Sequence, residues 1–329
     1  MNILPKSLIG PYKPKNFGKE YCEIKGSSQY PMFIAAALGI KPVFDDWIDV
    51  KKYHAYIEMC KKYGLFAEPD AVFSKTEAKK DKVIGGENIA TTCHAAKRFS
   101  ENPEDGEVHV FVSKSRESLL EAKKFGWYPV IINRRSLNKP YVDNAFFGKS
   151  LGYPECCIDF FRKYNNWHIY SNPYETFKNT LGSKSHYCNN FLMDKNYFYI
   201  HHLPCSYSCK KTIELAKKIE VAIKEVEPDF VEKANELLKK PLLIFREQNF
   251  ILFDGIASGN RISYTYSQYI NNPSRQEETI GFYDLIEQGN NLSLEGDKLI
   301  IRNNNSIIKI IEKKPFWFIL DFDQNEPVN

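Results

Sequence analysis

The spacing of apolar positions changes character twice along the chain. Between about residues 30 and 145 two periods alternate: 31–38 and 50–62 carry apolar residues at helical intervals, whereas Val108, Val110, Phe111 and Val112 form a run suited to a buried strand. Ser113 or Ser115 can cap a helix over 116–125, Gly126 stops it, and 127–132 is again strand-like. This succession predicts a strand, helix, strand unit and a partly parallel sheet. Residues 146–240 read mainly as helix. The longest predicted helix runs from about 206 to 225, where Thr212, Ala216, Ile219, Ile223 and Val226 make one stripe, and Pro228 and Pro241 bracket another over 229–239. From 242 onward short apolar runs (242–245, 250–253, 261–266, 299–302, 307–311 and 316–320) alternate with turn signals at Asp254-Gly255, Ser258-Gly259-Asn260, Glu295-Gly296-Asp297 and Asn303-Asn304-Asn305. The expected fold is a mixed α/β core over 1–145, a helical segment over 146–241 packed on it, and a small, largely antiparallel β module over 242–329.

Composition narrows the class. With 43% hydrophobic and 26% charged residues, the 329-residue chain can bury a real core, which argues against wholesale disorder. The net charge of +4 is small for this length, and lysines and arginines are dispersed, so charge alone does not declare a nucleic-acid binder. No stretch has the run of about 18 apolar residues that spans a bilayer, and the opening residues lack the apolar core of a signal peptide, so a cytoplasmic location is expected. In that reducing compartment eight cysteines point to metal ligation or catalysis rather than to a disulfide framework.

Two segments concentrate that chemistry. In Gly152-Tyr153-Pro154-Glu155-Cys156-Cys157 the proline marks a helix start, and apolar residues at 157, 158, 160, 161 and 164 continue it. In His201-His202-Leu203-Pro204-Cys205-Ser206-Tyr207-Ser208-Cys209 the order Pro, then Cys, recurs at the mouth of the long predicted helix. The unsatisfied N–H groups and the positive dipole end of a helix start favour thiolate over thiol. Spaced by four, Cys205 and Cys209 would project from one helix face, in line with Thr212 and Ala216. Cys156 and Cys157 diverge by about 100° around a helix, so one is expected to ligate and the other to be a spare thiol, a resolving group or a core residue. The expected ligands are Cys157, Cys205 and Cys209, with His202, Cys156 or a substrate atom at a fourth position. This spacing matches no standard zinc or cluster pattern and leaves a 4Fe-4S cluster and zinc both open.

Other residues fill out the expectation. Glu155 and Asp159 flank the thiols and, with His202 and Cys156, are candidate acid–base groups; first-turn carboxylates also suit the helix dipole. Arg134 and Arg135 follow a predicted strand, a position from which a parallel sheet would present them to an anionic ligand or cofactor. Cys188, beside His186, is a reserve ligand or a loop residue, and Cys22, Cys60 and Cys93-His94 read as structural. Phosphate loops and dinucleotide fingerprints are absent from the sequence.

The segments Phe147-Gly148-Lys149-Ser150-Leu151-Gly152-Tyr153-Pro154-x-Cys156-Cys157-x-x-Phe160-Phe161 and His202-x-Pro204-Cys205-Ser206-x-x-Cys209 resemble those of an uncharacterised, mainly archaeal family, domain of unknown function 483. The resemblance covers about residues 145–220 and implies that the two cysteine segments belong together; no activity comes with it. The first functional reading is an iron–sulfur enzyme of small-molecule or RNA-modification metabolism, a lyase or sulfur transferase acting by sulfur transfer, desulfuration or dehydration at an open cluster site. The alternatives are a zinc-stabilised, non-catalytic module that binds a partner such as RNA, and a metal-free redox dithiol.

Overall fold

The computed structural model describes residues 9–10, 12–25, 29–75, 94–98, 106–124, 126–127, 131–132, 135–136, 141–164, 172–246, 249–271 and 281–323. Its contacts divide the chain into two compact units that interleave in sequence, one made of 12–167 and 215–231 and the other of 1–11, 168–214 and 232–329. Among the described residues no helix is long and apolar enough to cross a membrane.

The first unit runs α1 (Lys19–Lys25), α2 (Tyr30–Ala37), β1 (Phe44–Asp49), α3 (Tyr53–Lys62), β2 (Phe66–Lys75), β3 (His94–Arg98), β4 (Glu107–Ser113) and α4 (Arg116–Lys123). Four two-residue strands follow, β5 (Gly126–Trp127), β6 (Ile131–Ile132), β7 (Arg135–Ser136) and β8 (Tyr141–Val142), and then α5 (Asn144–Ser150) and α6 (Glu155–Tyr164). Local chemistry sets the helix starts. The Ser115 side chain accepts from the Ser118 amide, and Asp143 accepts from the amides of Ala145 and Phe146, which satisfies first-turn donors.

The predicted partly parallel sheet is corrected by the structure. The sheet has the order β1-β4-β2-β3 and is antiparallel throughout. The helix after β4 forms as expected, but β4 already has β1 on one edge and β2 on the other, so the next strand cannot pair with it. It pairs elsewhere: β5 with β8 and β6 with β7, both antiparallel. On one face Phe111 packs with Val43, Leu119, Ala122 and Leu151.

The second unit holds α7 (Asn172–Lys178), the first turn of α8 (Lys210–Val226), most of α9 (Pro228–Leu238) and the strands β9 (Leu242–Arg246), β10 (Asn249–Ser258) and β11 (Arg261–Asn271). Helix α10 (Tyr283–Gln288) precedes β12 (Asn291–Glu295), β13 (Lys298–Asn303), β14 (Ser306–Glu312) and β15 (Phe318–Leu320). These strands form a seven-stranded antiparallel sheet in the order β14-β13-β12-β11-β10-β9-β15, the module that alternation predicts. Apolar side chains from all seven strands join one core with Ile286 of α10 and Trp317. Three of the predicted turns close hairpins. The fourth, Asp254-Gly255, instead runs through β10 opposite a bulge in β11, where Thr265 is the extra residue, and any side chain on residue 255 would collide with the Ser263 carbonyl oxygen.

The end of this sheet reaches the cysteine-bearing loop of the same unit. Phe322 bridges to Lys184, the Asp323 amide donates to the Lys184 carbonyl (2.8 Å), and the Asp323 carboxylate accepts from the His186 amide (3.2 Å) and the His186 ring. The neighbouring Ser185 amide donates to the Tyr207 carbonyl (2.8 Å), so the sheet fixes the stretch between Cys205 and Cys209.

Candidate metal centre

The first cysteine pair opens α6. The Pro154 carbonyl accepts from the amides of Cys157 (2.9 Å) and Ile158 (3.0 Å), which makes Pro154 the cap and puts Cys156 and Cys157 second and third in the helix. The chain reaches this cap through Gly152, whose φ of +73° is a conformation that side chains oppose. Cys157, Ile158 and Phe160 are buried, Cys156 is half-buried, and Glu155 and Asp159 point to solvent. The two sulfurs lie 4.0 Å apart. The pair therefore stands together rather than diverging around the helix. In the first turn of a helix no preceding turn blocks the side-chain rotamers, so adjacent thiols can swing together in spite of their angular separation.

The second pair sits in a loop, not on a helix face. Helix α8 begins at Lys210, and Cys209 is its cap: its carbonyl accepts from the Ile213 amide (3.0 Å). The predicted start near 206 comes too early because side chains capture the amides and carbonyls that a helical turn would use. Ser206 Oγ accepts from the Ser208 amide (3.0 Å), and Thr180 Oγ1 accepts from the Tyr207 amide (2.9 Å). Thr176 Oγ1 donates to the Pro204 carbonyl (2.8 Å), and Asn179 Nδ2 donates to the Cys205 carbonyl (2.7 Å). The Cys209 amide itself donates to the Ser206 carbonyl (3.1 Å). Cys209 is buried and Cys205 half-buried.

The sulfurs of Cys156, Cys157, Cys205 and Cys209 all lie within 4.8 Å of one another, a group that could hold a metal ion. Four thiols on a single ion with metal–sulfur bonds of about 2.3 Å occupy the corners of a tetrahedron with edges of about 3.8 Å.

The remaining candidates divide plainly. His202 is buried but lies outside the group of four; its Nε2 is 3.0 Å from Thr212 Oγ1, on the buried stripe of α8, and its carbonyl accepts from Asn190 Nδ2 (3.1 Å). Glu155 and Asp159 are exposed, Asp159 beside Arg162 at 3.7 Å. Cys188 is buried in a short 3-10 turn, His186–Cys188, and is not among the four. Burial, with the negative charge of Glu227 and Glu23, pushes the thiol of half-buried Cys22 up to about 12, and burial also raises that of buried Cys60, so neither is poised to ligate. Arg134 and Cys93 fall outside the described residues, and of His94 only the backbone is described, in β3. Arg135 lies in β7, whose backbone pairs antiparallel with β6 at Ile132, and its side chain falls outside what the structure describes.

Two arrangements escaped the sequence reading. One is the row Thr176, Asn179, Thr180, whose spacing of three and four around α7 is a helical polar stripe and was legible as such. The other is a buried charge cluster in the first unit. His109 of β4 is fully buried, with Nε2 3.3 Å from Asp45 and Nδ1 3.2 Å from Asp70. The pairing of β2 with β4 skips a residue between Pro69 and Ala71, so Asp70 is the extra residue of a bulge and is aimed at the ring. Burial pulls the imidazole pKa down, but the hydrogen bonds and negative charge of Asp45 and Asp70 outweigh it and raise it to about 9.

Residues 124–239 match a family described as protein of unknown function (DUF483). The chain is similar to that family over this stretch, which contains both cysteine segments and the polar row of α7. No curated protein and no solved structure matches the chain.

Proposed function

We propose that Cys156, Cys157, Cys205 and Cys209 bind one zinc ion as a closed tetrathiolate, and that the protein is a zinc-stabilised module rather than a cluster-dependent enzyme. The observation that carries this reading is the 4.8 Å limit on every sulfur–sulfur distance in the group. It is close to the tetrahedral edge around one ion, and the 4.0 Å between Cys156 and Cys157 is closer still. An iron–sulfur cubane sets each thiolate on a different iron and so spreads the sulfurs further. The donor set bears on the chemistry as well. Four thiolates complete a tetrahedron, as structural zinc sites do, whereas a catalytic zinc or an open cluster keeps one position for water or substrate. On this reading His202 positions the second pair through Thr212 rather than ligating, and the chemistry the ion supplies is cross-linking.

The test is metal analysis of the full chain purified without oxygen, paired with cobalt substitution. One zinc per chain and no visible colour, with cobalt giving the absorption of a tetrahedral thiolate complex that Cys209→Ser abolishes, is the expected result. Iron with matching acid-labile sulfide would replace zinc by the iron–sulfur enzyme. Absence of metal, with a melting curve indifferent to chelator, would leave the dithiol.

A further inference from the structure

Three backbone polar groups of the loop from Pro204 to Tyr207 are engaged by side chains of α7 or of the two residues that follow it. Thr176 is fully buried, and its hydroxyl donates to the Pro204 carbonyl at 2.8 Å. Asn179 donates to the next carbonyl, that of Cys205, at 2.7 Å. Thr180 accepts the Tyr207 amide at 2.9 Å while donating to the Thr176 carbonyl at 2.7 Å. Ser208 closes the loop from the other side, its hydroxyl donating to the Leu181 carbonyl at 3.1 Å. A peptide plane gripped on both sides of Cys205 has little freedom to rotate, so the direction of the Cα–Cβ bond that carries the sulfur is set by α7.

We propose that Thr176, Asn179 and Thr180 are positioning residues of the metal site: they hold the Cys205–Cys209 loop in its ligating form before the ion arrives and so set the affinity. The inference rests on the zinc reading above. Groups that orient metal ligands without touching the ion commonly account for about 10- to 100-fold in affinity, because a ligand left free to rotate must be ordered at the moment of binding. The row also explains why this loop keeps a defined form without helical hydrogen bonds of its own.

The experiment measures zinc affinity by competition with a chromophoric chelator, and the rate of zinc loss to that chelator, for the full chain and for Asn179→Ala, Thr176→Val, Thr176→Ser and Cys209→Ser. The expected result is a stoichiometry of one in the wild type, loss of binding in Cys209→Ser, affinity weakened about 10- to 100-fold with faster zinc loss in Asn179→Ala and Thr176→Val, and recovery in Thr176→Ser, which keeps the hydroxyl. Melting of the metal-free proteins separates positioning from general stability: Asn179 is exposed, so its alanine variant should melt with the wild type while binding zinc more weakly. If the wild type binds one ion through its thiols and Asn179→Ala binds as tightly and releases as slowly, the positioning role is overturned while the zinc site stands. If Cys209→Ser binds zinc like the wild type, the zinc reading itself falls.

Discussion

Two clusters of ionisable side chains solve the problem of buried charge in opposite ways. In the first unit His109 lies between Asp45 and Asp70, so an imidazolium there has a carboxylate on each side and the cluster carries charges of both signs. The four thiols would all carry one sign if ionised, and gathered within 4.8 Å they could hold an added cation. The backbone around each reflects this. The histidine clamp is built on a sheet, with one carboxylate presented by a bulge, and regular strand pairing holds it. The cysteines stand at helix starts and in a loop without regular structure, where amides point outward and side chains from α7 do the holding. A cluster of mixed sign belongs to the stability of the fold, whereas a group of like ligating side chains could take up a ligand.

The largest effect expected from breaking this contrast is at the thiols. Cys209→Ser, or exhaustive chelation of the wild type, should abolish stoichiometric zinc and lower Tm by roughly 10 °C, because binding free energy at a structural metal site is folding free energy. Scanning calorimetry with metal analysis checks both. Next comes the clamp: His109→Leu removes the cation between two carboxylates and should cost about 3–5 kcal/mol in urea unfolding while zinc content stays at one. A matching loss of zinc would show that the two clusters are not independent.

The pH dependence sharpens the same contrast. His109 has a folded pKa of about 9 against an ordinary value of 6.5, so its contribution is fully present below pH 6.5 and is lost as pH rises through about 9. Between pH 6.5 and 8 the loss should be about 2 kcal/mol, and a His109→Gln variant, which cannot titrate, should lack that slope. Above pH 8 the slope flattens, because burial lowers Lys41 to about 8 and its deprotonation works in the opposite direction. The smallest effect is reserved for Glu155→Gln and Asp159→Asn. Both side chains are exposed, so zinc content should not move and stability should change by no more than about 0.5 kcal/mol.

Much of the architecture was legible because it depends on local periodicity. The alternation after 242 and its Gly and Asn turns encode the antiparallel sheet, and Ser115 with Gly126 brackets α4 to within a few residues. The partner of a strand is not local. The apolar run at β4 reads the same whether its neighbour is parallel or antiparallel, and only the occupation of both its edges by β1 and β2 excludes the parallel unit.

The cysteine site divides along the same line. The sequence by itself determined that two Pro-Cys segments carry paired thiols, the first of them at a helix start, because proline punctuation and spacing act within a few residues. Tertiary structure alone decided which thiols share one place, since Cys156 joins Cys157 through side-chain rotation and His202 turns to Thr212. It also decided that Cys205 and Cys209 sit in a loop, because hydroxyls of Thr180 and Ser206 accept amides that helical periodicity would have assigned to a first turn. Periodicity records which face of an element is apolar; it holds no record of which side chain, distant in sequence, will claim a backbone group first.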